Sequence, residues 1–400
     1  MTAARRTLAV LGGADGAIST MRAAARLGVR TICVDMRADA PAVAHADEFL
    51  DLSTRDVPRI AKALAGRADL AGVVSPASDV NLPSQLALAG RLGLPCGLSE
   101  GAVRASVDKS WFRALCARLG LPGPRYVRGT EQEVLRDAPG LGFPLMVKPV
   151  DSSGSRGVSL CHGPGELAEA VRLAREWSLS GTIVAEDYLE GAHYTAESFV
   201  IGGKVALIGL AERRLTPPPL FITVQHTMPG PAGLTDAVRP MLDAVCAEVG
   251  LREGPLSADV LVTGTGEVVL VEMGARLGGN GLAELLGLVH GVDVVEQYVL
   301  SALGEPPRLD ATPSGCAAVR VLGAARDGKL IRVDGEERVK ALPGVVDLVL
   351  AAAPGDHVER YTRAGAKLGY LTAAAPGRDA LAGVLDEAAR LLRFEIGEPL

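Results

Sequence analysis

Residues 256–281 read LSADVLVTGTGEVVLVEMGARLGGNG. Two apolar runs, Ala258 to Val262 and Val268 to Met273, flank Thr263-Gly264-Thr265-Gly266-Glu267, whose glycines permit the positive φ of a tight hairpin. With Thr265-Gly266 as a two-residue turn, cross-strand partners have numbers that sum to 531, so Leu261 faces Leu270, Val260 faces Val271 and Asp259 faces Glu272. A three-residue turn with a bulge at Gly266 would shift that register by one. In the two-residue register a pair of carboxylates stands about 5 Å apart on one face, where like charges repel. A cation is expected between them. Mg²⁺ suits, because it takes hard oxygen ligands and normally shares one or two carboxylates with substrate phosphates. A solvated polar edge or a protonated carboxyl is the plain alternative. The period of two continues through Gly274 to Arg276, which brings a guanidinium to the carboxylate face and points to an anionic ligand.

Outward from the hairpin, 400 residues with 48% hydrophobic content make a globular chain of two to four packed units. A net charge of −6 and 4% aromatic residues disfavour a nucleic-acid partner, so any phosphate binding is local. The six cysteines, at 33, 96, 116, 161, 246 and 316, form no CxxC and no zinc spacing, which fits a reducing cytoplasm. No signal peptide is read at the start and no apolar stretch reaches 18 residues, so no membrane partner is expected.

TLAVLGG (7–13), ISTMRAAARLG and VRTICVD make a βαβ unit, and apolar segments continue to about residue 107 in a doubly wound pattern. Asp35 follows the glycines at the distance of a ribose-binding acid, yet Gly12, Gly13 and Gly16 give GGxxG and lack the first glycine of GxGxxG, which argues against a dinucleotide. A helix begins near Asp108-Lys109, with Lys109 in a first turn that is unfavourable for a cation. Phe143 to Pro149 is a strand with Lys148 near its end, followed by Asp151-Ser152-Ser153-Gly154-Ser155-Arg156-Gly157, where small residues let backbone N–H groups turn onto an anion. A surface hairpin with a snorkelling lysine is the alternative. Glu186-Asp187 interrupts an apolar strand and needs a donor such as an exocyclic amine. Pro217 to Gly230 reads as a long proline-rich lid whose polar tip carries His226, a substrate contact or an ordinary loop histidine. Residues 313–400 read as a small β-rich covering domain with no concentrated chemistry.

The order of Asp108-Lys109, the Lys148 strand with its glycine loop, Glu186-Asp187-Tyr188-Leu189-Glu190-Gly191, and Asp259 thirteen residues before Glu272 resembles the ATP-grasp superfamily. Within it, LGG with ADEFLDLSTRD and EMGARLGGNGLAELLGLVHGVDVV is similar to carboxylate-amine ligases that make dipeptides and related amides. The fold implied is α/β, in part α+β. It comprises a Rossmann-like unit at 1–107, an ATP-grasp domain at 108–312 with lobes at about 108–187 and 188–312, and a β-rich unit at 313–400. The resemblance implies ATP and Mg²⁺ as cofactors. It places Lys109 and Lys148 on phosphates, with Ser153, Gly154, Ser155 and Gly157 over the γ-phosphate. Glu186, Asp187, Tyr188 and Leu189 would lie at adenine, and His193 at the ribose. Asp259 and Glu272 would hold the metal, Arg276 the acyl phosphate, and His226, Gly278 and Gly279 the substrate. Many relatives carry an Asn as a third metal ligand where Gly274 stands here. The implied partners are a small-molecule carboxylate and an amine, with a homodimer as the assembly. Two rival readings remain: a carboxylase or purine-pathway enzyme activating bicarbonate or formate, and a catalytically silent nucleotide-binding regulator.

Overall fold

The computed structural model describes residues 6–398 apart from Ser153, Ser155 and Pro219. At the N-terminus four parallel strands lie in the order Glu48–Asp51, Arg30–Asp35, Thr7–Leu11, Leu70–Val74. Thr7–Leu11 is buried along its whole length, as a central strand covered by helices on both faces must be. The helices are Ile18–Arg26, Val57–Leu64 and Leu82–Leu92. Asp35, the apparent ribose acid, instead accepts the Gly13 N–H at 2.8 Å and the Arg37 N–H at 2.9 Å. Its side chain serves the turn.

A second sheet, antiparallel, orders Tyr126–Gly129, Ile183–Asp187, Leu145–Pro149 and Ser159–Cys161, with the helices Glu131–Asp137 and Pro164–Trp177 packed on it. Thr130 and Glu133 close a capping box at the start of the first of these helices.

The largest sheet has eight antiparallel strands in the order Val268–Gly274, Gly254–Thr263, Gly191–Ile201, Lys204–Leu215, Thr223–Met228, Cys316–Gly323, Lys367–Ala375, Val345–Leu350. Its last three members come from the C-terminal segment, so that segment extends this sheet, and a three-stranded sheet of His357–Val358, Gly328–Asp334 and Arg393–Ile396 accompanies it. The proline-rich lid is not there as expected. Lys204–Leu215 runs farther, the connection shrinks to 216–222, and His226 lies within the strand Thr223–Met228.

The hairpin forms, with a different turn. Val262, Leu261 and Val260 pair with Val268, Val269 and Leu270, numbers that sum to 530, because the loop holds three residues and Gly266 takes φ +84°. A bulge then leaves Val271 unpaired, and Asp259 meets Glu272 again. Two one-residue shifts cancel, and the carboxylates face each other for a reason the two-residue turn did not contain.

Candidate active site

The cleft between the second sheet and the eight-stranded sheet spans about 1040 Å³, part of it open to solvent. Lys109, Lys148, Gly154, Glu186, Asp187, Tyr188, Leu189, His193, Asp259 and Glu272 all line it. The structure therefore brings together side chains spread over more than 160 residues of sequence. Met146, Leu189, Leu215, Leu261 and Val269 give it an apolar part, and the Tyr188 and Phe221 rings stand 6.1 Å apart. Ser153 and Ser155 lie outside the described residues. Gly157 takes φ +73°, and a Cβ there would press on Trp177 and Pro149; the position serves packing of the loop.

Glu186 does not await a ligand amine. Its Oε1 is paired with Lys148 Nζ, and its Oε2 accepts from Arg113 Nε at 3.2 Å, all three side chains being nearly inaccessible. Burial works against the Glu186 carboxylate, yet Lys148 and Arg113 outweigh it and hold its pKa below the usual range. Arg113 also donates to the carbonyls of Leu270, at 2.6 Å, and Val271. These are the bulge carbonyls, so one guanidinium ties the helix Lys109–Arg118 and the small sheet to the hairpin and satisfies the ladder's irregular point. Asp187 is likewise met by the protein, with Arg125 Nε at 2.8 Å and Nη2 at 3.1 Å.

Asp259 and Glu272 carry their own cations. Arg213 Nη1 pairs with Asp259, whose other oxygen accepts from Thr195 at 3.3 Å. Lys109 Nζ stands 3.6 Å from Glu272. The cation expected between the acids is thus split to either side, and the Glu272 side chain keeps 44% of its exposure toward the cleft. Although burial raises it, the Glu272 pKa is held low by Lys109, Lys148, Arg213 and Arg276. Among the described residues no three His, Cys, Asp or Glu side chains gather as a metal cage. Two open carboxylates suit Mg²⁺, which keeps waters and takes phosphate oxygens for the rest of its shell.

A second cavity of about 570 Å³ adjoins the cleft and shares Lys109, Ser152, Asp259 and Glu272 with it. Its far wall holds Asp79, Ser257, Gly274 and Arg276, and Arg276 Nη2 donates to Asp79 at 2.9 Å. Arg276 thus reaches the carboxylate face from the turn after the strand ends at Gly274. Gly278 donates its N–H to Glu197 at 2.8 Å, and Gly279 lines a third cavity with Asp15, Asn280 and Lys367. Lys367 Nζ contacts Asp15 and Asn280 at 2.6 Å each, so the C-terminal segment supplies a cation to this third cavity. His226 lines neither the cleft nor the second cavity; it is buried opposite Arg213, and burial, reinforced by that cation, lowers its pKa to about 3.

Arg113, Arg213, Asp79 and Glu197 escaped the sequence reading. Arg113 alone left a usable trace, a charged residue inside the buried face of WFRALC. The others need partners from distant segments.

A family model of the ATP-grasp domain matches residues 141–284, and one of the L-amino acid ligase C-terminal domain 2 matches residues 320–397. The chain belongs to the ATP-grasp superfamily. ATP and Mg²⁺ are the cofactors that membership implies, and ATP-dependent ligation is its coarse activity. The uncharacterized protein y4rH of Sinorhizobium fredii is 34% identical over 341 residues, covering 82% of this chain and 69% of that one. A formate-dependent phosphoribosylglycinamide formyltransferase of Synechococcus is 26% identical, over 98% of this chain and 100% of that one. The crystal structure of an L-amino acid ligase from Bacillus licheniformis superposes on this ATP-grasp chain with a TM-score of 0.85 at 20% identity, over 99% of this chain and 100% of that one. No helix among the described residues is long and apolar enough to cross a membrane.

Proposed function

We propose that this ATP-grasp protein, divided at about 107 and 312, is a carboxylate–amine ligase that transfers the γ-phosphoryl group of ATP to a small carboxylate and then forms an amide. The observation that carries the reading is the junction of two cavities at Asp259 and Glu272, one lined by Lys109, Lys148, Tyr188 and His193 and the other by Arg276. In this reading Tyr188 and Leu189 take adenine in the apolar part and His193 the ribose. Lys109, Lys148 and Gly154 meet the phosphates. Asp259 and Glu272 hold Mg²⁺, which when bound neutralises phosphate charge at the junction.

Arg276 then faces the carboxylate that enters from the second cavity. Its guanidinium opposes charge on the acyl phosphate and on the carbonyl oxygen as the amine attacks, where a fixed cation lowers the barrier most. Gly278 and Gly279 line neither of these two cavities, and Gly278 packs against Glu197 and Leu282, so the substrate role read for them finds no support at this junction. The match of the C-terminal segment to the L-amino acid ligase domain supports an amino acid on at least one side of the bond. The formyltransferase relatives support activation of a smaller acid, with the same phosphoryl step. Carboxyl-¹⁸O substrate tests both: one labelled oxygen should move into inorganic phosphate with ADP as co-product. AMP and pyrophosphate, or label confined to amide and water, would sink the reading.

A further inference from the structure

Lys109 stands in the first turn of the helix Lys109–Arg118, whose dipole opposes a cation there. It is held at two points by one short stretch of backbone. Its N–H, which has no acceptor within the helix, donates to the Val150 carbonyl at 3.0 Å, and its Nζ donates to the Ser152 carbonyl. The same Nζ stands 3.6 Å from Glu272, and both residues line the cleft and the second cavity alike. Residues 150–152 are therefore the mount of the lysine, and they follow directly on the strand Leu145–Pro149.

Asp151 ties that mount down. Its Oδ1 accepts from Ser178 Oγ at 2.9 Å and from the Leu179 N–H at 3.1 Å, and its Oδ2 accepts from the Ser180 N–H at 2.7 Å. All three donors lie in the connection between the helix Pro164–Trp177 and the strand Ile183–Asp187, where the Thr182 carbonyl also takes the Val150 N–H at 3.3 Å. Burial works against the Asp151 carboxylate, yet these hydrogen bonds outweigh it and hold its pKa below the usual range. Asp151 lines the second cavity, but both of its oxygens are engaged by the protein. An asparagine in its place would turn its amide N–H₂ toward one of these donors and lose that bond.

We propose that Asp151 is the positioning residue of Lys109: by pinning residues 150–152 to the 178–182 connection, it keeps the Ser152 carbonyl on the ammonium and the ammonium at the junction of the two cavities. Asp151 acts through the lysine and has no oxygen left for a ligand of its own. This rests on the reading that puts Lys109 on the phosphates of ATP. The small sheet thereby sets a cation carried by a helix outside it, through a carboxylate that never meets the nucleotide.

A double-mutant cycle separates this role from general support of the small sheet. Binding of Mg²⁺ with the non-hydrolysable β,γ-imido analogue of ATP is measured by calorimetry, so neither the acid nor the amine need be known. The proteins are the wild type, Asp151→Asn, Lys109→Ala and the double variant. Lys109→Ala should weaken binding by about 10–100-fold, the worth of a hydrogen bond to a charged group, and Asp151→Asn by about 10-fold. In the double variant Asp151→Asn should add less than about 2-fold, since a displaced mount has no lysine left to misplace. Ser178→Ala, which takes away one of the three donors, should act in the same direction by less, and it carries the test if Asp151→Asn does not fold. An equal effect of Asp151→Asn with and without Lys109 would overturn the proposal. Wild-type affinity in Asp151→Asn, or in Ser178→Ala where it alone folds, would overturn it too. Wild-type affinity in Lys109→Ala would instead remove the lysine from the phosphates, and the proposal with it.

Discussion

Two groups of acids share the cleft wall and are treated in opposite ways. Glu186 is enclosed, with Lys148 and Arg113 on its two oxygens and almost no solvent contact. Asp259 and Glu272 face each other across a ladder, open to the cavity, each balanced by a cation that stands outside the pair. A closed acid surrounded by donors holds lobes together. An open pair with cations displaced to its flanks leaves the middle for a ligand. The difference teaches which acids are architecture: Glu186 is spent within the protein, whereas the hairpin pair keeps oxygen lone pairs to give.

That contrast is broken most severely from the closed side. Arg113→Ala should destabilise the chain by about 3–5 kcal/mol, the range for removing one member of a buried ion pair, because Glu186 and the bulge carbonyls of Leu270 and Val271 lose donors together. Urea unfolding at pH 7 measures it; a loss under 1 kcal/mol would mean that water replaces the guanidinium. Lys148→Ala should lower turnover by about 10²–10³-fold, as loss of a charge-stabilising donor does. It should also cost stability, since Lys148 is buried on Glu186 and is no free strand-end lysine. Near-normal turnover at saturating ATP would remove Lys148 from the phosphate site.

Glu197 stands between the two cases, as buried as Glu186 and with an oxygen as unpaired as any in the open pair. Burial drives its pKa up to about 7, against hydrogen bonds from Gly278 and Ser257 and the nearby Arg276, while the half-buried Glu284 adds to the rise. A raised folded-state pKa means that the native chain holds the proton more tightly than the unfolded chain. The associated stability is present below about pH 4.5 and is lost as pH climbs to about 7. Glu197→Gln should therefore gain on the wild type across that window, by up to about 3 kcal/mol at pH 8. Parallel unfolding curves for the two proteins from pH 5 to pH 8 would refute the shift.

Much of the closed and open design was legible beforehand, and the exceptions have one cause. Strand and helix periodicity located the βαβ start, the Lys148 strand and the hairpin, because each is a local pattern of apolar spacing. Asp259 opposite Glu272 was reached through the wrong turn, since a bulge at Val271 is a tertiary matter that Arg113, 158 residues away in sequence, helps to hold. Glu186 was read as needing a donor, correctly, but a donor from helix Lys109–Arg118 cannot be seen in TIVAEDY. Proline spacing placed His226 on a lid, and strand pairing with Cys316–Gly323 overrode it. Asp79 joins the second cavity only because distant segments of chain converge there, which no local pattern records.

The smallest expected effect tests the open pair itself. If Asp259 and Glu272 repelled each other without relief, Asp259→Asn would stabilise the metal-free protein. Arg213 already answers Asp259, however, and Lys109 already answers Glu272, so neutralising Asp259 removes one repulsion and one attraction at once. The attraction is that of a partly exposed pair, worth about 0–1 kcal/mol, and the repulsion across the ladder is of similar size. Asp259→Asn should then shift the metal-free melting temperature by little in either direction. With Mg²⁺-ATP present the two proteins should part, because ligand stabilisation follows occupancy and the variant has lost half of its metal carboxylates. Thermal melts with and without Mg²⁺-ATP decide it. A metal-free melting temperature raised by many degrees would show that the flanking cations do not relieve the pair. An undiminished Mg²⁺-ATP shift would show that Asp259 does not hold the metal, and the contrast between spent and available acids would then rest on Glu272 alone.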